Sequence, residues 1–432
     1  MTYTVTTDQA PASVSAPDAR ASRKATLVAS IGNVLEWYDF GVYGFFAATI
    51  GAKFFAAGDS VAALLSAFAV FGIGFVARPL GGIVVGFNAD KHGRRPAMMI
   101  TIMMMALGTL MIGISPTYAT VGVAAPVILV TARLLQGFST GGEWGASAAY
   151  VVEWATPGRR GFFASAQQLT AYLGIVLGSS IAALLSGALS VSQIDDWGWR
   201  VPFILGALIG PFGLYLRRTM SETPAFEAAR QIPESGQPQE WGAAIRLFCL
   251  VAVTHSVTFT FMYYLPTFTQ KFAGVSRVES LWSNSIAIIV FVLAVPICGM
   301  ISDRVGRKPM LLTADLLFLV LSFPLMAATV SYPGFVTALA VQIILNLFFA
   351  IYAGAAAVAC VELFPTKTRL RWLSPAYNIS GVAFGAFAPY IATWLVEKTG
   401  SPTSVVYFVL FATVISGIAI LGMSETAHKP LR

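Results

Sequence analysis

Apolar stretches of about 20 residues, the length a helix needs to cross hydrocarbon, recur along this chain from Thr26 into its last segment. Short loops rich in Gly, Pro and basic residues separate them. Twelve such spans are expected, at about 26-50, 61-86, 97-115, 121-152, 162-190, 199-216, 243-265, 283-302, 309-330, 333-361, 373-396 and 404-423. The composition agrees, with 56% hydrophobic and only 11% charged residues, and a mean hydropathy of +0.74. The expected class is an all-α, multi-pass membrane protein.

The first 25 residues are polar and lack the apolar core and cleavage site of a signal peptide, so they read as a disordered cytoplasmic tail. Lysine and arginine crowd into that tail and into alternate loops, as at Arg23 and Lys24, Lys91 to Arg95, Arg159 and Arg160, Arg217 and Arg218, Arg304 to Lys308, and Lys367 to Arg371. The positive-inside rule then places both termini and these loops in the cytoplasm. It also accounts for the net charge of +7, because cations dispersed between lipid-facing helices suit nucleic acid poorly. Cys249, Cys298 and Cys360 fall in separate apolar segments without metal-ligand or redox spacing, and are read as small core residues.

The chain echoes itself. GFNADKHGRRPAM, from Gly86, returns as GMISDRVGRKPML, from Gly299, 213 residues on. EWATPGRRGFF at Glu153 has a looser counterpart in ELFPTKTRLRW at Glu362, 209 residues on. Two echoes at nearly one offset indicate duplication. The expected organisation is a tail at 1-25, a six-helix bundle at 26-216, a cytoplasmic linker with one interfacial helix at 217-242, a second bundle at 243-423 and a short tail at 424-432. Paired six-helix repeats are a transporter plan, in which a midplane site faces each side in turn.

The doubled loop, G-x-x-x-D-(K/R)-x-G-R-(R/K), resembles the loop signature of the major facilitator superfamily, and RLLQG from Arg133 resembles its helix 4 motif. GNVLEWYDFGVYG in span 1, GFVARPLGG at 74-82, GGEWGAS at 141-147 and WGWRVPF at 197-203 together resemble the metabolite:proton symporter family of that superfamily, whose members carry citrate, α-ketoglutarate, shikimate, or proline and betaine. The resemblance implies the major facilitator fold of twelve transmembrane helices, in two six-helix bundles.

In the loops, Asp90 can pair with Arg94 and Arg95 across a turn that Gly93 permits, and Asp303, Gly306, Arg307 and Lys308 repeat the arrangement. The resemblance implies that these residues, with Gly86 and Gly299, latch the cytoplasmic gate. The bland reading is that the basic residues only set topology.

Charges that cannot reach water are more telling. Glu36 and Asp39 lie one turn apart in span 1, with Arg78 in span 2 and Arg133 and Glu143 in span 4. Each costs roughly 2.5 to 3.5 kcal/mol at the centre of an isolated inserted helix, so each is expected to face inward and find a partner. Arg78 lies about 18 Å from the cytoplasmic loop at the helical rise, near mid-bilayer. Two close carboxylates in low dielectric need a cation between them or a proton on one. The resemblance implies Asp39 as the proton site with Arg133 as its partner, the alternative being a fixed structural pair. Glu36 and Glu143 stay open between proton relay and helix-helix bonding.

Arg78 and Arg133 offer guanidinium forks that suit a carboxylate. Tyr38, Tyr43, Gln167, His255, Tyr263, Tyr264, Asn346 and Asn378 are candidates for uncharged contacts to a substrate, and each could equally pack helices. The expected function is therefore import of a small organic anion with protons across the cytoplasmic membrane by alternating access, by a monomer that needs no cofactor. Citrate or another di- or tricarboxylate leads; a cyclic carboxylate such as shikimate, or a zwitterion such as proline or betaine, comes second. No HExxH, CxxC or Ser/His/Asp motif supports a membrane enzyme, and duplicated halves with paired gate motifs disfavour a passive channel.

Overall fold

The computed structural model describes residues 19–55, 60–156, 158–218, 221–230 and 239–431, and no strand occurs among them. Twelve long helices succeed one another among these residues. The first half holds α1 Ala19–Phe45, α2 Ser60–His92, α3 Arg94–Ile114, α4 Ala124–Trp154, α5 Arg160–Ala188 and α6 Arg200–Arg218. The second holds α7 Trp241–Phe272, α8 Arg277–Val305, α9 Arg307–Ser331, α10 Phe335–Glu362, α11 Arg369–Thr399 and α12 Val405–Leu421. Eight of the helices are long and apolar enough to cross a bilayer unaided, and α6 joins them when taken with the bent segment Val191–Gly198 before it. The other three, α1, α4 and α5, carry the polar residues of the interior: Glu36, Asp39, Arg133, Glu143 and Gln167 are all buried. Polar side chains of this kind are sustained where a helix faces protein rather than lipid.

Two expectations at the chain's polar segments need correction. Helix α1 has begun by Ala19, so Arg23 and Lys24 ride on a helix inside the expected tail of 1-25; the tail before residue 19 lies outside the described residues. Of the linker expected at 217-242, Arg217 and Arg218 belong to α6 and Pro224–Arg230 is a short helix, while 219–220 and 231–238 lie outside the described residues.

Several helices carry irregularities in their backbone hydrogen bonding. Pro79, Pro211, Pro296, Pro324 and Pro375 sit within helices, where each removes a backbone donor. Wider π-helical turns interrupt α7 at Thr258–Tyr264 and α11 at Val382–Ala386. Both flank the space between the halves. Where the duplicated loops turn from α2 to α3 and from α8 to α9, Gly93 and Gly306 take φ values of 109° and 112°, which disfavour any side chain.

The two halves meet chiefly at the end that carries the basic loops, here called the basic face. A continuous apolar core there runs from Val28 and Val85 through Val152 into Phe291, Val361 and Leu370. At the opposite face, Val42, Phe46, Phe54, Leu129, Trp199 and Phe203 form a core that belongs to the first half alone.

Candidate functional site

Between the halves lies a small cavity, about 40 Å3, lined from the first half by Glu36, Trp37, Phe75, Arg78, Thr140, Trp144, Gln168 and Tyr172, and from the second by Thr254, His255, Thr258, Phe259, Tyr377 and Asn378. It has room for a water or two. Its floor, toward the basic face, is a stack of Trp144 on Tyr377 with centroids 3.7 Å apart and planes 9° from parallel. Its roof is the edge-on contact of Phe75 with Phe259 at 5.8 Å. Both contacts join one half to the other, so the site is closed above and below by aromatic pairs.

Arg78 is the cation of this cavity. Its guanidinium carbon lies 4.1 Å from the Phe75 ring centre and 4.7 Å from that of Phe40, and Nη2 stands 3.6 Å from Glu36 Oε1. One turn further along α1, Asp39 accepts from Arg133 Nη1 at 2.8 Å and from the Thr109 hydroxyl at 3.0 Å, and Arg133 also donates to Gln136 at 2.9 Å. The Tyr43 ring lies 3.6 Å from the Arg133 guanidinium carbon. Asp39 and Arg133 are thus paired inside the first half and do not line the cavity.

The fold separates the remaining expected residues. His255 and Asn378 line the cavity, and the Asn378 amide donates to Gly141 O and Ser374 O at 2.7 Å each, tying α11 to α4. Tyr38, Tyr43, Gln167, Tyr264 and Asn346 do not line it. The Tyr38 hydroxyl donates to Pro202 O at 2.7 Å, that of Tyr43 to Ala67 O at 2.9 Å, and Gln167 to the Ser147 hydroxyl at 2.8 Å. Asn346 donates to Gln342 O at 2.8 Å, and Tyr264 is packed in the shared core. Tyr263 stacks on Phe259 at 5.3 Å, beside the roof. Glu143 is held by Arg217 and the Thr101 hydroxyl, away from the cavity. The sequence reading assigned Gln167 where Gln168 is the lining residue, and passed over Trp37, Thr140, Trp144, Thr254 and Tyr377; helical phase alone does not say which face meets the other half.

At the basic face the duplicated motifs form two mirrored networks across the halves. Asp90 accepts from Arg94 Nη1 at 2.9 Å, and from the backbone N–H groups of Leu370 and Arg371, at the start of α11, at 3.2 and 2.7 Å. Asp303 accepts from Arg307 Nη1 at 2.9 Å, and from Gly161 and Phe162, at the start of α5, at 2.8 and 3.0 Å. Each acid so caps a helix of the opposite half, where the helix dipole favours a negative charge. Arg369 reaches Glu153 at 2.5 Å, and Arg160 reaches Glu362 at 3.5 Å, again between halves. The expected partners Arg95 and Lys308 play a different part: their side chains donate to Arg218 O, and to Leu421 O and Met423 O. Gly86 and Gly299 lie at helix crossings, where an added Cβ would come within 2.6 Å of Leu370 O and of Gly161 O.

A further repeat completes these networks. The tetrapeptide MSET occurs at Met220 and again at Met423, directly after the last helix of each half. Glu222 accepts from Arg95 N at 3.2 Å, while Glu425 accepts from Arg307 N and Lys308 N at 2.9 Å each. The Thr223 hydroxyl donates to Glu153, and that of Thr426 to Glu362 at 2.6 Å. Burial pushes the Glu425 carboxyl up, but the N–H groups of Arg307, Ala427, Lys308 and Thr426 outweigh it and leave it below its ordinary value. In Glu222 burial wins, and the carboxyl is raised. The sequence signal was present, but an exact tetrapeptide is too short to attract notice without the contacts.

Among the described residues no group of three or more His, Cys, Asp and Glu could hold a metal ion.

Comparison with known proteins matches residues 25–236 to a model described as sugar (and other) transporter, and residues 247–432 to one described as major facilitator superfamily. The chain is 38% identical over 400 residues to the citrate-proton symporter of Klebsiella pneumoniae, covering 91% of this chain and 90% of that protein. It is 34% identical over 429 residues to the proline/betaine transporter of Escherichia coli (strain K12), covering 95% and 85%. Among solved structures, the proton:xylose symporter XylE bound to 6-bromo-6-deoxy-D-glucose superposes with a TM-score of 0.80 at 18% identity, covering 95% of this chain and 98% of that one. Inward-open XylE gives 0.67 at 19% identity, covering 95% and 98%.

Proposed function

The chain belongs to the major facilitator superfamily and is a proton-coupled symporter rather than an enzyme, and on that premise we propose that it imports a small organic carboxylate, citrate or a related di- or tricarboxylate first among them. The observation that carries this reading is Arg78, a guanidinium resting against two aromatic rings in a cavity at the meeting of the halves. A guanidinium in a small, aromatic-walled site suits a carboxylate in bidentate geometry. Proline or betaine, the substrates in the name of the second relative, would present one carboxylate to the same group.

The basic face is taken as cytoplasmic, which sets both termini there and the membrane as the inner one. In this conformation the ties of Asp90, Asp303, Glu153 and Glu362 hold that face shut. Opening it requires the halves to rock apart, breaking both networks and the Trp144–Tyr377 floor together. Asp39 is the proton site in this reading: ionised it holds Arg133, and protonated it releases the guanidinium and allows the loaded carrier to turn. The chain acts as a monomer with the proton as coupling ion.

Uptake of labelled citrate, proline and glycine betaine into proteoliposomes, driven by an inward proton gradient, tests the function. Accumulation of citrate that collapses with a proton ionophore is expected. Accumulation that ignores the gradient would refute symport, and uptake of proline or betaine alone would replace the substrate. Asp39→Asn is expected to abolish gradient-driven accumulation, and unchanged accumulation would remove Asp39 from the proton path.

A further inference from the structure

The two acids of α1 stand in different surroundings. Asp39 is 0% exposed, matched by Arg133 and Thr109, and outside the cavity. Glu36 lines the cavity, and its contact with Arg78 is loose, at 3.6 Å. Around that contact the buried polar atoms are unmatched: Glu36 Oε2, Arg78 Nε and Nη2, and the hydroxyls of Thr140 and Thr254 have no hydrogen-bond partner. All four residues line the same space. Unmatched donors and acceptors converging on one cavity mark a place where a ligand completes the bonding. The Arg78 guanidinium rests against the Phe40 and Phe75 rings, 4.7 and 4.1 Å from their centres, and these contacts favour this position for the cation.

We propose that Glu36 and Arg78 form the exchange point of transport, where one carboxylate of the substrate takes the place of Glu36 on Arg78 and Glu36 takes up one proton as it is displaced. The inference rests on the reading of the cavity as a carboxylate site. The Arg78–Glu36 ion pair breaks, an ion pair between Arg78 and the substrate forms, and an O–H bond forms on Glu36 from a proton delivered by solvent. No electron moves. A substrate carboxylate entering without a proton would leave two anions facing one guanidinium in a space with little water, where like charges interact strongly. With the proton, the cavity holds the same net charge before and after.

The groups that face Glu36 are Arg78 from α2, Glu143 from α4, Tyr172 from α5, His255 and Tyr263 from α7, and Tyr377 from α11. Glu143 is already paired with Arg217. Arg78 is therefore the permanent cation for which Glu36 and the substrate compete. A further carboxylate on a citrate-like substrate would find no second guanidinium or ammonium among the lining residues, and would enter protonated.

The test is titration calorimetry of the purified full-length protein with citrate, L-proline and glycine betaine, in buffers of differing ionisation enthalpy, which counts protons taken up on binding. For whichever ligand binds, Glu36→Gln is expected to take up about one proton fewer than the wild-type protein and to show a correspondingly shallower pH dependence of affinity, by the reciprocity of coupled binding. Glu36→Asp is expected to keep the proton. Arg78→Gln is expected to weaken binding at least about tenfold, through loss of the charged partner, and to lose the linked proton. It also serves as the second variant should Glu36→Gln fail to fold. Proton uptake that persists unchanged in either variant overturns the exchange while leaving the carboxylate reading standing. Failure of the wild-type protein to bind any of the three ligands removes both.

Discussion

Arg217 closes α6, and from its neighbours Arg218 and Thr219 it reads as one more loop cation. In the fold its side chain is fully buried, paired with Glu143 and donating to the backbone of Met98 and Ala29. Arg94, Arg307 and Arg369 are buried too, each with a carboxylate partner. Breaking such a pair from one side strands a charge, so Glu143→Leu is expected to cost about 3–5 kcal/mol, whereas Glu143→Leu with Arg217→Leu together should recover most of it. Denaturant unfolding in detergent measures both. Glu425 gives a prediction of opposite character. Its carboxyl lies below its ordinary value, so the stability it contributes is present above about pH 4.3 and is lost as pH falls through the lowered value. Thermal unfolding between pH 6 and pH 3 should show a fall that Glu425→Gln makes shallower.

Helices show a clearer division between what local sequence dictates and what it leaves open. The apolar lengths were legible because hydrocarbon thickness sets them, and twelve spans were read where twelve long helices stand. The helix irregularities were only half legible: the prolines announce themselves, while the π-helical turns at Thr258–Tyr264 and Val382–Ala386 carry no proline of their own. The helix faces were not legible, since nearly all sides of a buried helix are apolar. Gly86 and Gly299 each sit at a crossing between halves. Gly86→Val and Gly299→Val are each expected to push the crossing helices apart and to bias the carrier toward an open basic face. A cysteine introduced between the cavity and the basic face should then react with a thiol reagent several-fold faster than in the parent, and unchanged reactivity would remove these glycines from the gate.

The two halves together make what neither holds alone. Asp90 caps α11, Asp303 caps α5, and the floor and roof of the cavity each take one ring from each half. Asp90→Asn with Asp303→Asn is expected to weaken both caps and to lower gradient-driven accumulation by more than the sum of the single changes, because one intact network still keeps the basic face shut when the other is weakened. Additive single effects in a transport assay would show that the networks act independently. From its sequence this chain was determined to be a twelve-span membrane protein of two related halves, with cations gathered at one face and a few charges committed to the interior, since span length, repetition and charge cost are local properties. Only the tertiary structure decided which charges meet. Glu36 and Asp39 are a single turn apart on α1, yet one lines the cavity beside Arg78 of α2 and the other is sealed with Arg133 of α4. A buried charge takes its role from the partner within a few ångströms, and that partner is set by the packing of helices far apart in the chain.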